Sequence, residues 1–175
     1  SLWFFWAVWH YVKATREKRF LAKKLLPICR EILEGYLEGT QFGIAMGEDG
    51  LITLSDEELP LTWMDGRLPA EKSGIPGRAV TPRFGKPVEV NALWYFAVRV
   101  MAHYSEEFGF RRAATYLRLS RLIQQNFQKT FVAPTGTLYD RVTETLKDAS
   151  IRPNLLIAAS LPFTPFTKPQ QEAVL

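Results

Sequence analysis

EVNALWYFAVRVMAHY, residues 89–104, is apolar on every side of a helical projection, with Arg99 almost its only interruption. A surface helix carries one apolar stripe, so this stretch predicts a helix buried all round. LWFFWAVWHYV, residues 2–12, has the same character and predicts a second inner helix. The segments that follow each of them behave differently. Leu21, Leu25, Ile28, Ile32 and Tyr36 recur at helical spacing with Lys, Arg and Glu between them, and Pro27 should kink or restart that helix near its middle. Over residues 110–129, Phe110, Ala114, Leu117, Leu122 and Ile123 oppose Arg111, Arg112, Arg118, Arg121 and Lys129, whose simplest place is a solvated face.

Buried helix, amphipathic helix, buried helix, amphipathic helix is the order that concentric helical hairpins produce. The expected class is therefore all-α, a toroid of helix pairs. Two long connections separate the pairs, 40–87 and 130–152, both far beyond the ~2–8 residues usual between helices of a bundle. The first contains FGIAMGEDGLITL, where Glu48-Asp49-Gly50 supplies turn residues between apolar flanks and predicts a short β-hairpin.

Composition narrows the function. With 175 residues and 47% hydrophobic content the chain can bury the core of one domain. Its net charge of +4 is not gathered into a block, so nucleic acid is not expected. A single cysteine, Cys29, gives no disulfide framework or cysteine-rich zinc site and suits a reducing, cytoplasmic compartment. Within its amphipathic helix it predicts inert packing. The two histidines, His10 and His103, sit on apolar helices and read as core residues; no metal and no cofactor are expected. The apolar run at the start is too short for a membrane span of ~20 residues and lacks a basic leader, so no membrane is expected. It has no initiator Met, and QQEAVL stops in what reads as the opening of another helix. The expectation is one incomplete toroid domain over 1–175, truncated at both ends. The 13% of aromatic residues, 5 Trp among them, suits either a large core or the flat faces of sugar rings.

Neither a glycine-rich phosphate loop nor a nucleophile elbow is present, and the chemistry falls to carboxylates in the long loops. Asp65 follows Thr62-Trp63-Met64, a sugar platform beside a proton donor, although such a tripeptide is more often a packed loop with a turn-forming Asp. Glu89 opens the inner helix, where the helix dipole favours an anion, and ordinary first-turn electrostatics would explain it equally. Arg83 and Arg152 each adjoin a proline that stiffens the backbone, and either a carboxylate or a sugar hydroxyl would satisfy them. Asp140 after Tyr139 fits a turn residue or a hydroxyl clamp.

LTWMDGRLPAEKSGIPGRAVTPRFGKPVEVNALWYFAV, residues 61–98, resembles the signature of glycogen debranching enzymes in their amylo-α-1,6-glucosidase catalytic domain. The resemblance extends to SLWFFWAV at 1–8, GTQFGIAMGEDGLI at 39–52, LYDRV at 138–142 and IRPNLLIAASLPF at 151–163. It implies an (α/α)6 toroid, of which about three hairpins fit in this length. It also implies inverting hydrolysis of the α-1,6-linked glucose at a glycogen branch point, with glycogen or limit dextrin as partner. By the same resemblance Asp65 is the general acid. Trp63, Arg83, Glu89, Asn91, Trp94, Tyr139, Asp140, Arg152 and Asn154 line the sugar pocket, and the base lies beyond Leu175. Another inverting toroid enzyme, glucoamylase-like or trehalase-like, and a non-catalytic α-glucan-binding or helical interaction module are the alternatives. Apolar edges left by so short a piece of toroid predict self-association.

Overall fold

The computed structural model describes residues 2–55, 59, 61–69, 77 and 79–174. Residues 70–76 and 78, within the 61–98 stretch, lie outside these. The chain is all-α with small antiparallel sheets, consistent with part of an α/α toroid.

Helix α1 (Trp3–Thr15) buries Phe5, Val8, Trp9 and Val12, one face at helical spacing, against the long central helix. Arg16, at φ 60, closes it by donating its N–H to the Val12 carbonyl at 2.8 Å. The expectation that this helix is buried all round is corrected. Trp3, Trp6 and Tyr11 are each about two-fifths exposed, and His10 is exposed beside Trp6 at a ring separation of 4.2 Å. Only one side of α1 meets other helices of the chain, so its second aromatic row stays open.

Two short pieces, α2 (Lys18–Phe20) and a π-turn at Leu21–Leu25, lead into α3 (Leu26–Glu38). The restart expected at Pro27 coincides with the change from π-turn to α-helix: Pro27 lies in the first turn of α3. The buried stripe is Leu21, Leu26, Cys29 and Leu33; of the predicted Leu21, Leu25, Ile28, Ile32 and Tyr36, Leu21 is buried, Leu25, Ile32 and Tyr36 are half-buried against the core, and Ile28 is exposed. The π-turn is the cause. Leu26 donates its N–H to the Leu21 carbonyl, five residues back, and the extra residue rotates everything after it by about one position. Ile28 is thereby left 44% exposed while Cys29 is fully buried. Burial pushes the Cys29 thiol up to about 12, which makes it inert as expected.

Helix α4 (Val88–Glu107) is buried on every side, Asn91 to Val98 without a break, as its sequence requires. It is the axis of the fold. His103 is the exception to the core reading: it is exposed, in edge contact with Trp9 at 5.2 Å and 3.9 Å from Glu107. Gly109, at φ 66, helps turn the chain into α5 (Ala113–Phe131), which packs along α4. Its buried face is Tyr116, Ser120, Ile123, Phe127 and Phe131. Of the predicted face, Ile123 is buried and Leu117 half-buried, while Phe110, Ala114 and Leu122 are exposed. The three large rings cover more apolar area than the smaller aliphatics and therefore set the rotation of the helix. Arg111, Arg112, Arg118, Arg121 and Lys129 are exposed, as the amphipathic pattern predicts. Helices α6 (Pro153–Ser160) and α7 (Lys168–Val174) pack on each other, and α6 packs on α4. No helix among the described residues is long and apolar enough to cross a membrane.

The predicted hairpin is formed by β1 (Ile44–Met46) and β2 (Ile52–Leu54), in antiparallel register with Ile44 opposite Leu54. In its turn Gly50 takes φ +78, and the Asp49 carboxylate accepts the Leu51 N–H at 3.1 Å. A second sheet was not legible in the sequence: β3 (Lys86–Pro87), β4 (Arg141–Val142) and β5 (Lys147–Asp148), antiparallel in the order β3-β4-β5. It joins the end of the first long loop to the second, and a Leu54–Gly85 bridge ties the hairpin to it.

Candidate functional site

The pairing of β3 with β4 brings Arg83, just before β3, beside Asp140, just before β4. Backbone bonds hold both sides of this junction. Asp140 donates its N–H to the Asp148 carbonyl at 2.8 Å and accepts the Val88 N–H on its own carbonyl at 3.0 Å. Arg83, 1% exposed, spends one guanidinium nitrogen on the Asp140 carboxylate and another on Glu89, in the first turn of α4. A planar fork meeting two carboxylates is the arrangement arginine suits best.

The network runs outward from Asp140. Arg152 bonds Asp140 and Asp148 at 2.8 Å each, the second an i,i+4 pair. Asn154, fully buried at the start of α6, donates its amide to the Asp140 carboxylate at 2.7 Å. Its carbonyl accepts the Trp63 indole N–H at 3.0 Å, and its amide also lies 3.4 Å from the Met64 sulfur. Three contacts of Asn154, to Asp140, Trp63 and Met64, thus carry order from a buried ion pair to the loop. Trp63 is 50% exposed and Asp65, two residues on, is exposed.

Behind this loop lies a cleft of about 270 Å3, walled by Leu2, Trp3, Tyr36, Thr62, Trp63 and Glu89 among others. Aromatic walls with one carboxyl suit a sugar ring. Among the described residues the Glu89 Oε1 is buried without a hydrogen-bond partner, as is the Arg83 Nε. Burial pushes the Glu89 carboxyl up to about 6, against the pull of the Arg83 guanidinium and with the help of the Asp140 charge. Asp148 goes the other way: partial burial opposes ionisation, but the Ser150 hydroxyl and N–H and the Arg152 guanidinium outweigh it and bring its carboxyl down to about 2.

These shifts act on stability with opposite signs. The folded chain keeps a proton on Glu89 that the unfolded chain releases above its ordinary value of 4.5, so this contribution is full below pH 4.5 and is lost as pH rises through about 6. The contribution of Asp148 is present above its ordinary 3.8 and is lost as pH falls toward about 2. Glu89→Gln is expected to flatten the decline in melting temperature between pH 4.5 and about 6 and to leave the acid limb in place. Thermal unfolding across that range checks it, and an unaltered decline in the variant would count against the assignment.

The structure gathers Trp63, Arg83, Glu89, Asp140, Arg152 and Asn154 into one hydrogen-bonded unit. Tyr139, half-buried, precedes Asp140 and carries Lys147 over its ring at 5.6 Å. Asn91 and Trp94 stand elsewhere. Asn91 receives the Ile52 N–H at 2.7 Å and donates to the Ile52 and Pro87 carbonyls at 3.0 Å, which occupies its amide on backbone. Trp94, fully buried, donates to the Gly50 carbonyl at 3.0 Å and packs on Tyr36. Both hold the hairpin to α4. Sequence reasoning missed Asp148 and Met64; the spacing Asp148, Ser150, Arg152 was the available signal for the first.

Among known families, the model described as amylo-α-1,6-glucosidase matches residues 1–175, the whole chain. The chain belongs to the amylo-α-1,6-glucosidase family. Comparison with curated proteins and with solved structures gives no match. Membership in the amylo-α-1,6-glucosidase family makes this a glycoside hydrolase-like debranching sequence with α-glucan as its substrate class. The aromatic cleft and the loop latched beside it are the features of the fold that fit such a substrate.

Proposed function

We propose that the chain carries the acid side of an inverting glycosidase site that removes α-1,6-linked glucose from glycogen branch points, in the cytoplasm, with Asp65 as general acid. The observation that carries this reading is the Trp63–Asn154 latch, which ties the Asp65 loop to the buried Asp140–Arg83–Glu89 network at the cleft. A general acid must be held in register with the bond it protonates, because a misplacement of about 1 Å costs on the order of 100-fold in rate. In the proposed reaction Asp65 donates its proton to the glycosidic oxygen as the bond to the anomeric carbon breaks. Water attacks the opposite face and gives its proton to a second, ionised carboxylate ~6.5–9.5 Å away.

Trp63 would supply the sugar platform, and Glu89 and Asp140 act from behind by fixing Arg83 and Asn154. Residues 1–175 are read here as belonging to one toroid domain. Glucose release from an α-1,6-branched limit dextrin, with a linear α-1,4 glucan as control, tests the linkage; hydrolysis of the linear glucan alone would favour a glucoamylase-like enzyme. Binding of both glucans with no hydrolysis of either would favour a binding module.

The exposed row of Trp3, Trp6, His10 and Tyr11 supports self-association of the 175-residue chain. Sedimentation velocity at micromolar concentration is expected to show dimers or larger species, and a clean monomer would count against it.

A further inference from the structure

The opposite end of α4 carries a second, chemically different cavity. Ser105 lies 16 residues after Glu89, roughly 24 Å along the helix axis at the usual rise. Together with Arg30 of α3 and with Phe110, Arg111, Arg112 and Tyr116 at the entry to α5, it lines a space of about 360 Å3. Three guanidinium-bearing residues line this space and, among the described residues, no carboxylate does. Arg112 is anchored by Glu34 at 2.7 Å, whereas Arg30 and Arg111 have no ion-pair partner among the described residues. Like charges repel, so a cavity that gathers three cations with a single neutralising acid outside its wall is suited to an anion.

Two features make it more than a solvated basic face. Ser105 is only 3% exposed, yet its side chain makes no hydrogen bond among the described residues and the residue lines the cavity. Its hydroxyl is not among the wholly buried unpartnered atoms, so it opens to the cavity and can donate to a ligand there. In addition, α5 begins here without any side-chain cap, which adds the positive end of a 19-residue helix to the same space.

We propose that this cavity binds a small phosphate ester. The phosphate would sit between Arg30 and Arg111, with the Ser105 hydroxyl as a further donor. Phe110 and Tyr116 form the apolar wall against which the organic part rests. The site is independent of the proposed glycosidase chemistry at the other end of α4.

The test is titration calorimetry of the 175-residue chain, at constant ionic strength, with inorganic phosphate and with glucose 6-phosphate as a representative ester. Saturable one-to-one binding is expected, tighter for the ester than for inorganic phosphate. The double variant Arg30→Gln, Arg111→Gln is expected to weaken it by about tenfold or more, since both are charge-assisted contacts. Ser105→Ala should weaken it several-fold, and Arg118→Gln, an exposed arginine of the same helix that does not line the cavity, should not weaken it. Circular dichroism melting confirms that each variant is folded. An equal loss in Arg118→Gln, an unweakened double variant, or the absence of saturable binding would overturn the proposal. Equal affinity for inorganic phosphate would overturn the ester.

Discussion

Asp65→Asn is expected to lower glucose release from an α-1,6-branched limit dextrin by about 10²–10⁴-fold in the full-length natural protein that carries these residues, the range general acid catalysis supplies. An amide of the same shape keeps the loop and its Trp63–Asn154 latch but cannot give a proton to the glycosidic oxygen. Substrate binding should change little, because Asp65 is exposed at the rim and the aromatic wall is untouched. The proposed role therefore predicts a fall in kcat with KM nearly constant. A substrate with an activated leaving group, which needs little protonation, should recover much of the lost rate. Full activity in Asp65→Asn would move the acid elsewhere and leave Asp65 a turn residue.

The second large effect is on stability. Arg83→Met is expected to destabilise the fold by about 3–5 kcal/mol, the cost of breaking a buried ion pair from one side. Glu89 and Asp140, each no more than 1% exposed, would lose the cation they share. Asp140 retains Arg152 and Asn154, whereas Glu89 retains no side-chain partner among the described residues, so most of the penalty falls on Glu89. Adding Glu89→Gln to Arg83→Met should then recover part of the loss, since a neutral amide costs less to bury than an unpaired charge. Urea unfolding of the single and double variants measures both. A loss in Arg83→Met of less than about 1 kcal/mol would mean that water reaches the network.

Much of the fold could be read along the chain. Residues 89–104 are apolar on all faces, and a helix of that kind has only one place, at the centre. The hairpin was legible because Glu48-Asp49-Gly50 sits between two apolar flanks, and the restart at Pro27 because proline has no N–H to give. The faces of the outer helices were less legible. A π-turn at Leu21–Leu25 inserts one residue into the period, and nothing in LAKKL announces it. In α5 the competition between Phe110, Leu122 and the Tyr116, Phe127, Phe131 row is decided by which rings find a partner, such as Phe166 against Phe127 at 5.2 Å. His10, read as core, is exposed because α1 presents only one face to its neighbours, and His103 because it lies with Arg99, Glu106 and Glu107 on a stripe near the C-terminal end of α4 that is not fully covered.

The candidate site divides in the same way. Motif by motif, the sequence by itself determined the family, the all-α class and the list of polar residues in the two long loops. Only the tertiary structure decided which of those residues meet. Arg83 and Asp140 are 57 positions apart and become partners through three short strands, each two residues long and too short to leave a pattern. The same folding step seals Asn91 and Trp94 under the hairpin and leaves Trp63 and Asp65 at the surface. Local periodicity records which side of an element is apolar. Whether a charged or aromatic side chain ends at a cleft or in a core depends on the elements that close over it, and those come from distant parts of the chain.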